Sequence, residues 1–327
     1  MKATNKLAEK LGSEKLALTA ACLPPHDGDA ASVKKLAGYF PATLDGVVVA
    51  DNPSKVRGSA LACAALLAAE KVEPMLSLIT RDRNRIALES DVLGATALGI
   101  KNFLCLTGVH QSLGAGPQAA GAFDIDSTQL CQALSKMAAQ GVDFDGNKLS
   151  FSPNFGIAVA VHPYLRPIEL SVLQLKKKIA AGAQVLLTDP IFDVAGFEQW
   201  MQAVRAAGLD KKAAIIASLL PLQSVAQAEF LQARSGFAPI GDDVIARLKG
   251  SKSRGEPAGS AGGVPSREGL GTLSGAPDNN DPAQTGIAIV AEIAGKVKAI
   301  AGVRGIHILS DGCEQSVAKI IQEARLA

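Results

Sequence analysis

The chain has little of what metal and nucleotide motifs are made from. Its four histidines are scattered, and its five cysteines (Cys22, Cys63, Cys105, Cys131, Cys313) never form C-x-x-C, which excludes the ligand spacing of a zinc or iron–sulfur site. No metal is expected, and thiols set in apolar runs such as FLCL and ALAC read as buried and free. No G-x-x-x-x-G-K-S/T run is present to cradle phosphates, and no G-x-S-x-G turn. An excess of one charge is also missing. Lysine and arginine number 33 against 31 acidic residues, and no basic stretch is interleaved with the scarce aromatics, so nucleic acid is not an expected partner. No run approaches the roughly 18 uninterrupted apolar residues of a membrane span. The start, MKATNKLAEKLGSEK, lacks the apolar core of a secretory signal, and the expectation is a cytoplasmic protein that meets small metabolites.

What the chain does have is a repeated alternation. Short β-rich runs at Ala17–Cys22, Gly46–Ala50, Glu73–Ile79, Asn102–Thr107, Gly156–Val161, Gln184–Thr188, Ala213–Ser218 and Gly305–Leu309 are separated by helical patterns. Their interiors (GVVVA, IAVAV, AIIA) are continuously apolar, as strands buried on both faces must be. Eight such units over 327 residues predict a single α/β domain, a (β/α)8 TIM barrel spanning 1–327. Between Asp82 and Gly99 the mixture of Ile86, Leu88, Val92 and Leu93 with Arg85, Glu89 and Asp91 predicts an amphipathic helix, with Asp82 as N-cap and Gly99 as the closing glycine. Ile168–Ala181 repeats the pattern and ends at Gly182. The stretch 250–281 is dominated by glycine, serine, proline and charge and reads as a surface insertion, since it offers too little apolar area to offset its ordering entropy.

In such barrels ligands bind outside the carboxyl ends of the strands, so the polar residues there are the candidates. The first strand runs into Cys22-Leu23-Pro24-Pro25-His26-Asp27, where two prolines fix the chain direction and His26 or Asp27 offers an acid from the loop. The second ends at Asp51-Asn52, the third carries Ser77 and Thr80 before Arg81 and Arg83, and the fourth ends at Thr107-Gly108 followed by Val109 and His110. Glycine there lets backbone approach closely. His162 follows the fifth strand, and Asp189 closes the sixth. Asp189 is able to accept from a donor–donor edge or, if burial raises its pKa, to act as an acid.

RDRNRIALESDVLGATALGIKNFLCLTG, then HQS and FDIDSTQL, closely resembles the methylenetetrahydrofolate reductases of the short bacterial type. The likeness extends from LTAACLPP to GVRGIHILSDG. It implies a TIM barrel that binds FAD and reduces 5,10-methylenetetrahydrofolate to 5-methyltetrahydrofolate, taking electrons from a nicotinamide or a protein donor. The alternative is a flavin- or pterin-binding barrel that serves as a noncatalytic or partner-dependent subunit of a one-carbon complex. By the same resemblance Asn52, Ser77, Thr107, Gly108, His110, His162, Lys178 and Ala183 contact the flavin, with Lys178 of LKKKIAAGA at its phosphate. Asp189 stands where the family has a pterin-binding glutamine, and is the candidate for both catalysis and substrate binding. Two family acids are replaced. Ala21 occupies the place of the proton-donating glutamate, and Val109 that of the aspartate beside the flavin. A homo-oligomer or partner subunit is compatible with this reading.

Overall fold

The computed structural model describes residues 5–13, 15–114, 116–233, 239–250 and 281–326. Eight parallel strands close into one barrel in chain order: β1 (Ala17–Cys22), β2 (Gly46–Val49), β3 (Pro74–Ile79), β4 (Asn102–Leu106), β5 (Gly156–Val161), β6 (Val185–Pro190), β7 (Ala214–Leu219) and β8 (Val303–Ile308). The TIM barrel read from the alternation is therefore the fold. Around it lie α1 (Lys6–Gly12), α2 (Ala30–Ala37), α3 (Ala60–Ala69), α4 (Arg85–Ala97), α5 (Ser127–Gln140), α6 (Ile168–Ala180), α7 (Val194–Ala206), α8 (Val225–Gln232), α9 (Asp242–Gly250), α10 (Pro282–Val297) and α11 (Val317–Glu323). Of the expected insertion, residues 251–280 lie outside the described residues. None of the described helices is long and apolar enough to cross a membrane.

Two apolar layers follow from the alternation of side chains along each strand. Outward residues such as Leu18, Val47, Leu76, Phe103, Ile157, Leu186, Ile215 and Ile306 pack against the helices. Inward residues Ala17, Val48, Met75, Leu104, Ala158, Val185, Leu187 and Ile216 fill the barrel, and Leu7 and Leu11 of α1 join them. Helix α1 thus plugs the amino end and leaves the carboxyl end as the mouth. Two residues further along their strands, Thr19, Ser77, Ser218 and His307 form a buried polar layer beneath that mouth. Thr19 Oγ1 and His307 Nδ1 share a hydrogen bond of 2.9 Å across the β1–β8 seam.

Three boundaries differ from the sequence expectation by two residues, and several others by one. Strand β6 continues through Asp189 to Pro190, where the register against β7 shifts between Leu187 and Pro190. An irregularity is where a ladder tolerates a residue without an N–H. Strand β8 begins at Val303, which pairs with Ile215 of β7, and Arg304, which interrupts the apolar run, reaches down to donate to the Leu11 carbonyl at 2.6 Å. Helix α4 is capped by Asn84 rather than Asp82: Asn84 Oδ1 accepts from Ala87 N at 3.1 Å, while Asp82 is held by Arg81. Gly99 does close the helix, with φ of +80°. All five cysteines are buried and none forms a disulfide.

Candidate functional site

Buried ion pairs shape the rim between β2 and β4. Asp51 is almost fully buried, accepts from Ile79 N at 3.3 Å and pairs with Arg83 at 2.5 Å. Arg83 also meets Asp91 at 2.9 Å. Arg81, only 1% exposed, grips Asp82 with two bonds of 2.7 Å. Its remaining N–H groups donate to the Asn52 carbonyl at 3.1 Å and the Val109 carbonyl at 3.3 Å. One side chain therefore ties the loops after β2 and β4 to the end of β3. Such a fork suits a planar guanidinium with five donors. Both arginines are engaged by carboxylates of the chain itself. Asn52 adopts φ of +43° and accepts from Arg57 N at 2.8 Å, and Ser77 lies in the buried polar layer.

The loop after β4 is fixed mainly by local contacts. Thr107 Oγ1 accepts from Ser127 N at 3.0 Å and so anchors the start of α5. Gly108 has φ of +84°, and a Cβ there would lie 2.7 Å from Ile79 Cγ2. The glycine is demanded by this approach to β3. We expect Gly108→Ala to lower stability by about 1–3 kcal/mol through strain and overpacking, read as a shifted urea midpoint at constant m-value. An unchanged midpoint would refute the packing argument. His110 Nδ1 bonds to Ser112 Oγ at 2.8 Å, and its ring lies parallel to that of Phe123 with centroids 6.4 Å apart. Val109, Leu113 and Phe123 form an exposed apolar lip. Beside it Gln111 is buried, and its Nε2 has no hydrogen-bond partner among the described residues.

Across the mouth, the register pairs Val161 of β5 with Thr188 of β6, so the next residues, His162 and Asp189, stand side by side. His162 Nδ1 lies 2.8 Å from Asp189 Oδ2. The side chain of Asp189 is 10% exposed and that of His162 45%, so the carboxylate sits behind the imidazole. The His162 carbonyl accepts from Ser171 Oγ at 2.7 Å, and Ser171 Oγ in turn accepts from Trp200 Nε1 at 2.9 Å. Lys178 extends from α6 and donates to the Ala160 carbonyl at 2.6 Å; burial pushes its pKa down, opposed in part by Asp189 and Asp126. Ala183 is not brought to the mouth. It is buried in the turn from α6 into the amino end of β6, its N–H donating to the Lys178 carbonyl at 3.1 Å.

Near β1, Ala21 presents its carbonyl to Ser310 Oγ at 2.9 Å. His26 and Asp27 are exposed, His26 Nδ1 lying 2.9 Å from the Val56 carbonyl. The sequence offered no signal for Glu314, a buried carboxylate after β8 that accepts from Leu23 N at 3.0 Å. Nor did it single out His307, a lone histidine in an apolar strand. Asp189, His162, Asn52 and His110 are thus rim residues, while Ser77 lies just below them.

Known proteins with likeness to this chain include a proposed lyase/mutase from Burkholderia cenocepacia, whose crystal structure aligns over 98% of this chain and 84% of its own with a TM-score of 0.46 and 14% identity. Methylenetetrahydrofolate reductase 2 of Saccharomyces cerevisiae is 34% identical over 85 residues, a match spanning 24% of this chain and 14% of the yeast protein. The family model for methylenetetrahydrofolate reductase matches residues 30–262, from α2 past the end of β7 and thus through most of the rim. The chain belongs to the methylenetetrahydrofolate reductase family.

Proposed function

We propose that the protein is an FAD-dependent reductase that converts 5,10-methylenetetrahydrofolate to 5-methyltetrahydrofolate in the cytoplasm, with electrons supplied by a nicotinamide or a protein donor. The observation that supports it most is that the family match runs through β2 to β7, the strands whose ends carry the paired loops, the apolar lip and the His162–Asp189 pair. FAD fits the residues present. Gln111 Nε2 is a buried donor without a partner, a situation that costs about 1–3 kcal/mol unless a ligand acceptor relieves it. The apolar lip of Val109, Leu113 and Phe123 beside it suits a flat heterocycle. When bound, the flavin supplies the hydride chemistry, and the chain supplies position and protons.

In this reading Asn52 and His110 hold the cofactor from the rim, and Ser77 lies beneath it. Thr107 and Gly108 shape the loop through which it is approached. Lys178 serves the phosphate end only by releasing the Ala160 carbonyl that its ammonium now bonds. Asp189 faces the pterin from β6. The replaced acids Ala21 and Val109 favour a second reading, a flavin- or pterin-binding subunit without turnover of its own, working within a homo-oligomer or with a partner subunit.

Purification separates the two. The reductase reading expects a yellow protein with flavin absorption bands that oxidises 5-methyltetrahydrofolate with an artificial electron acceptor. A yellow protein without turnover supports the subunit, and a colourless protein that gains neither colour nor activity on addition of FAD removes both.

A further inference from the structure

We propose that His162, oriented by Asp189, delivers the proton that opens the folate aminal, in place of the glutamate that Ala21 has displaced. The proposal rests on the reductase reading. The chemistry needs an acid at the bridging nitrogen. As proton transfer proceeds, an N–H bond at the donor breaks and one forms at that nitrogen. The methylene carbon–nitrogen bond then cleaves with its electron pair going to the protonated nitrogen, and the other nitrogen's lone pair makes an iminium that accepts hydride from a reduced flavin. An alanine methyl has no proton to give, and another group must supply it.

The structure assigns this to His162 by three independent features. First, Asp189 accepts from Nδ1 at 2.8 Å, so the proton that the imidazolium gives up is the one on Nε2, which has no protein partner among the described residues, and the ring is left as its neutral Nδ1–H tautomer. Second, the carboxylate is the buried member and the imidazole the exposed one, so the charge that stabilises an imidazolium stands behind the ring. Third, the backbone of His162 is held by Ser171 Oγ, which accepts from buried Trp200, so the ring projects from a fixed origin. Several of the other acids near the mouth are engaged within the chain. Asp51 is bound to Arg83, Asp82 to Arg81 and Glu314 to Leu23 N, while His110 is turned to Ser112 and His307 is buried in the barrel. In this assignment His162 is the catalytic residue and Asp189 its positioning residue.

The test combines kinetics with nitrogen-15 NMR of the full chain, whose four histidines make the imidazole spectrum simple. For His162→Gln, kcat falls about 10²–10⁴-fold, the usual worth of one general acid, with thermal unfolding retained. For Asp189→Asn, kcat falls less and the neutral His162 ring changes from its Nδ1–H to its Nε2–H tautomer. A merely structural role for Asp189 would not move that tautomer. His162→Gln with kcat within threefold of the parent overturns the assignment of the donor and leaves the reductase reading intact. An unaltered tautomer in Asp189→Asn overturns the role given to Asp189. Absence of folate turnover in the parent protein removes the reductase reading and this proposal together.

Discussion

Replacing Trp200 by alanine should lower the stability of the protein by about 3–5 kcal/mol, the range for deleting a large aromatic side chain from a packed core. Trp200 is fully buried on α7, stacks on Phe197 with ring centroids 5.8 Å apart, and belongs to the layer between helices and barrel wall. Neighbouring side chains collapse only partly into such a space, so lost contacts and residual cavity both count. The hydrogen bond from Nε1 to Ser171 Oγ adds a second, smaller loss. Trp200→Phe isolates it: most of the packing stays, and about 1 kcal/mol goes with the bond. Urea unfolding of the two variants gives the comparison. If alanine and phenylalanine cost the same, packing is not what the indole contributes.

The same pair carries a consequence for the mouth. Because Ser171 Oγ donates to the His162 carbonyl, Trp200 reaches the His162 backbone through two hydrogen bonds although it lies in the helical layer. Trp200→Phe is expected to leave flavin absorption unchanged. Any loss of turnover in that variant is then a loss of position, since the indole is fully buried in the layer between helices and barrel wall.

How much of this was legible beforehand depended on how local each signal is. Strands such as GVVV and GIAVAV announced themselves because burial on both faces leaves an unbroken apolar run, and eight of them gave the barrel. Helix α1 was missed: seven residues between charged neighbours carry too short a period to read, and only the barrel's open amino end gives Leu7 and Leu11 somewhere to go. The end of β6 was cut short because proline argues against a strand until a register shift is known. His162 and Asp189 were each singled out, but 27 residues separate them, and their pairing follows from the register of Val161 against Thr188. The partners of Arg81 and Arg83 were hidden for a related reason. A charged turn such as RDRNR reads as solvated, whereas the loops after β2 and β4 fold over it and bury the first guanidinium. His307 could not be weighed at all from sequence, because a lone histidine in GIHI gains meaning only when Thr19 arrives from the opposite end of the chain.

That histidine contributes to the pH dependence of the fold. His307 is completely enclosed, and burial pushes its pKa down from 6.5 to about 4, so it stays neutral in the native barrel while the unfolded chain protonates it in ordinary fashion. Its contribution has a definite sign. Between these two values the unfolded state binds more protons, so stability falls as pH falls through the window and is fully regained above about pH 6.5. A shift of this size corresponds to about 3 kcal/mol. Glu73 and Asp91 work in the opposite direction, since burial holds both carboxyls above their usual range and the native state takes up their protons first. The comparison that isolates His307 is therefore between the parent and His307→Asn, whose amide does not titrate. Stability measured by urea unfolding from pH 7 to pH 4 should decline more steeply in the parent, by about one proton's worth of slope. The variant is expected to be weaker at neutral pH, where the Thr19 contact is altered, and to lose that deficit in acid. Parallel curves would mean that the barrel interior accepts the imidazolium, and the polar layer of Thr19, Ser77 and Ser218 would then have to be wet enough to solvate a charge.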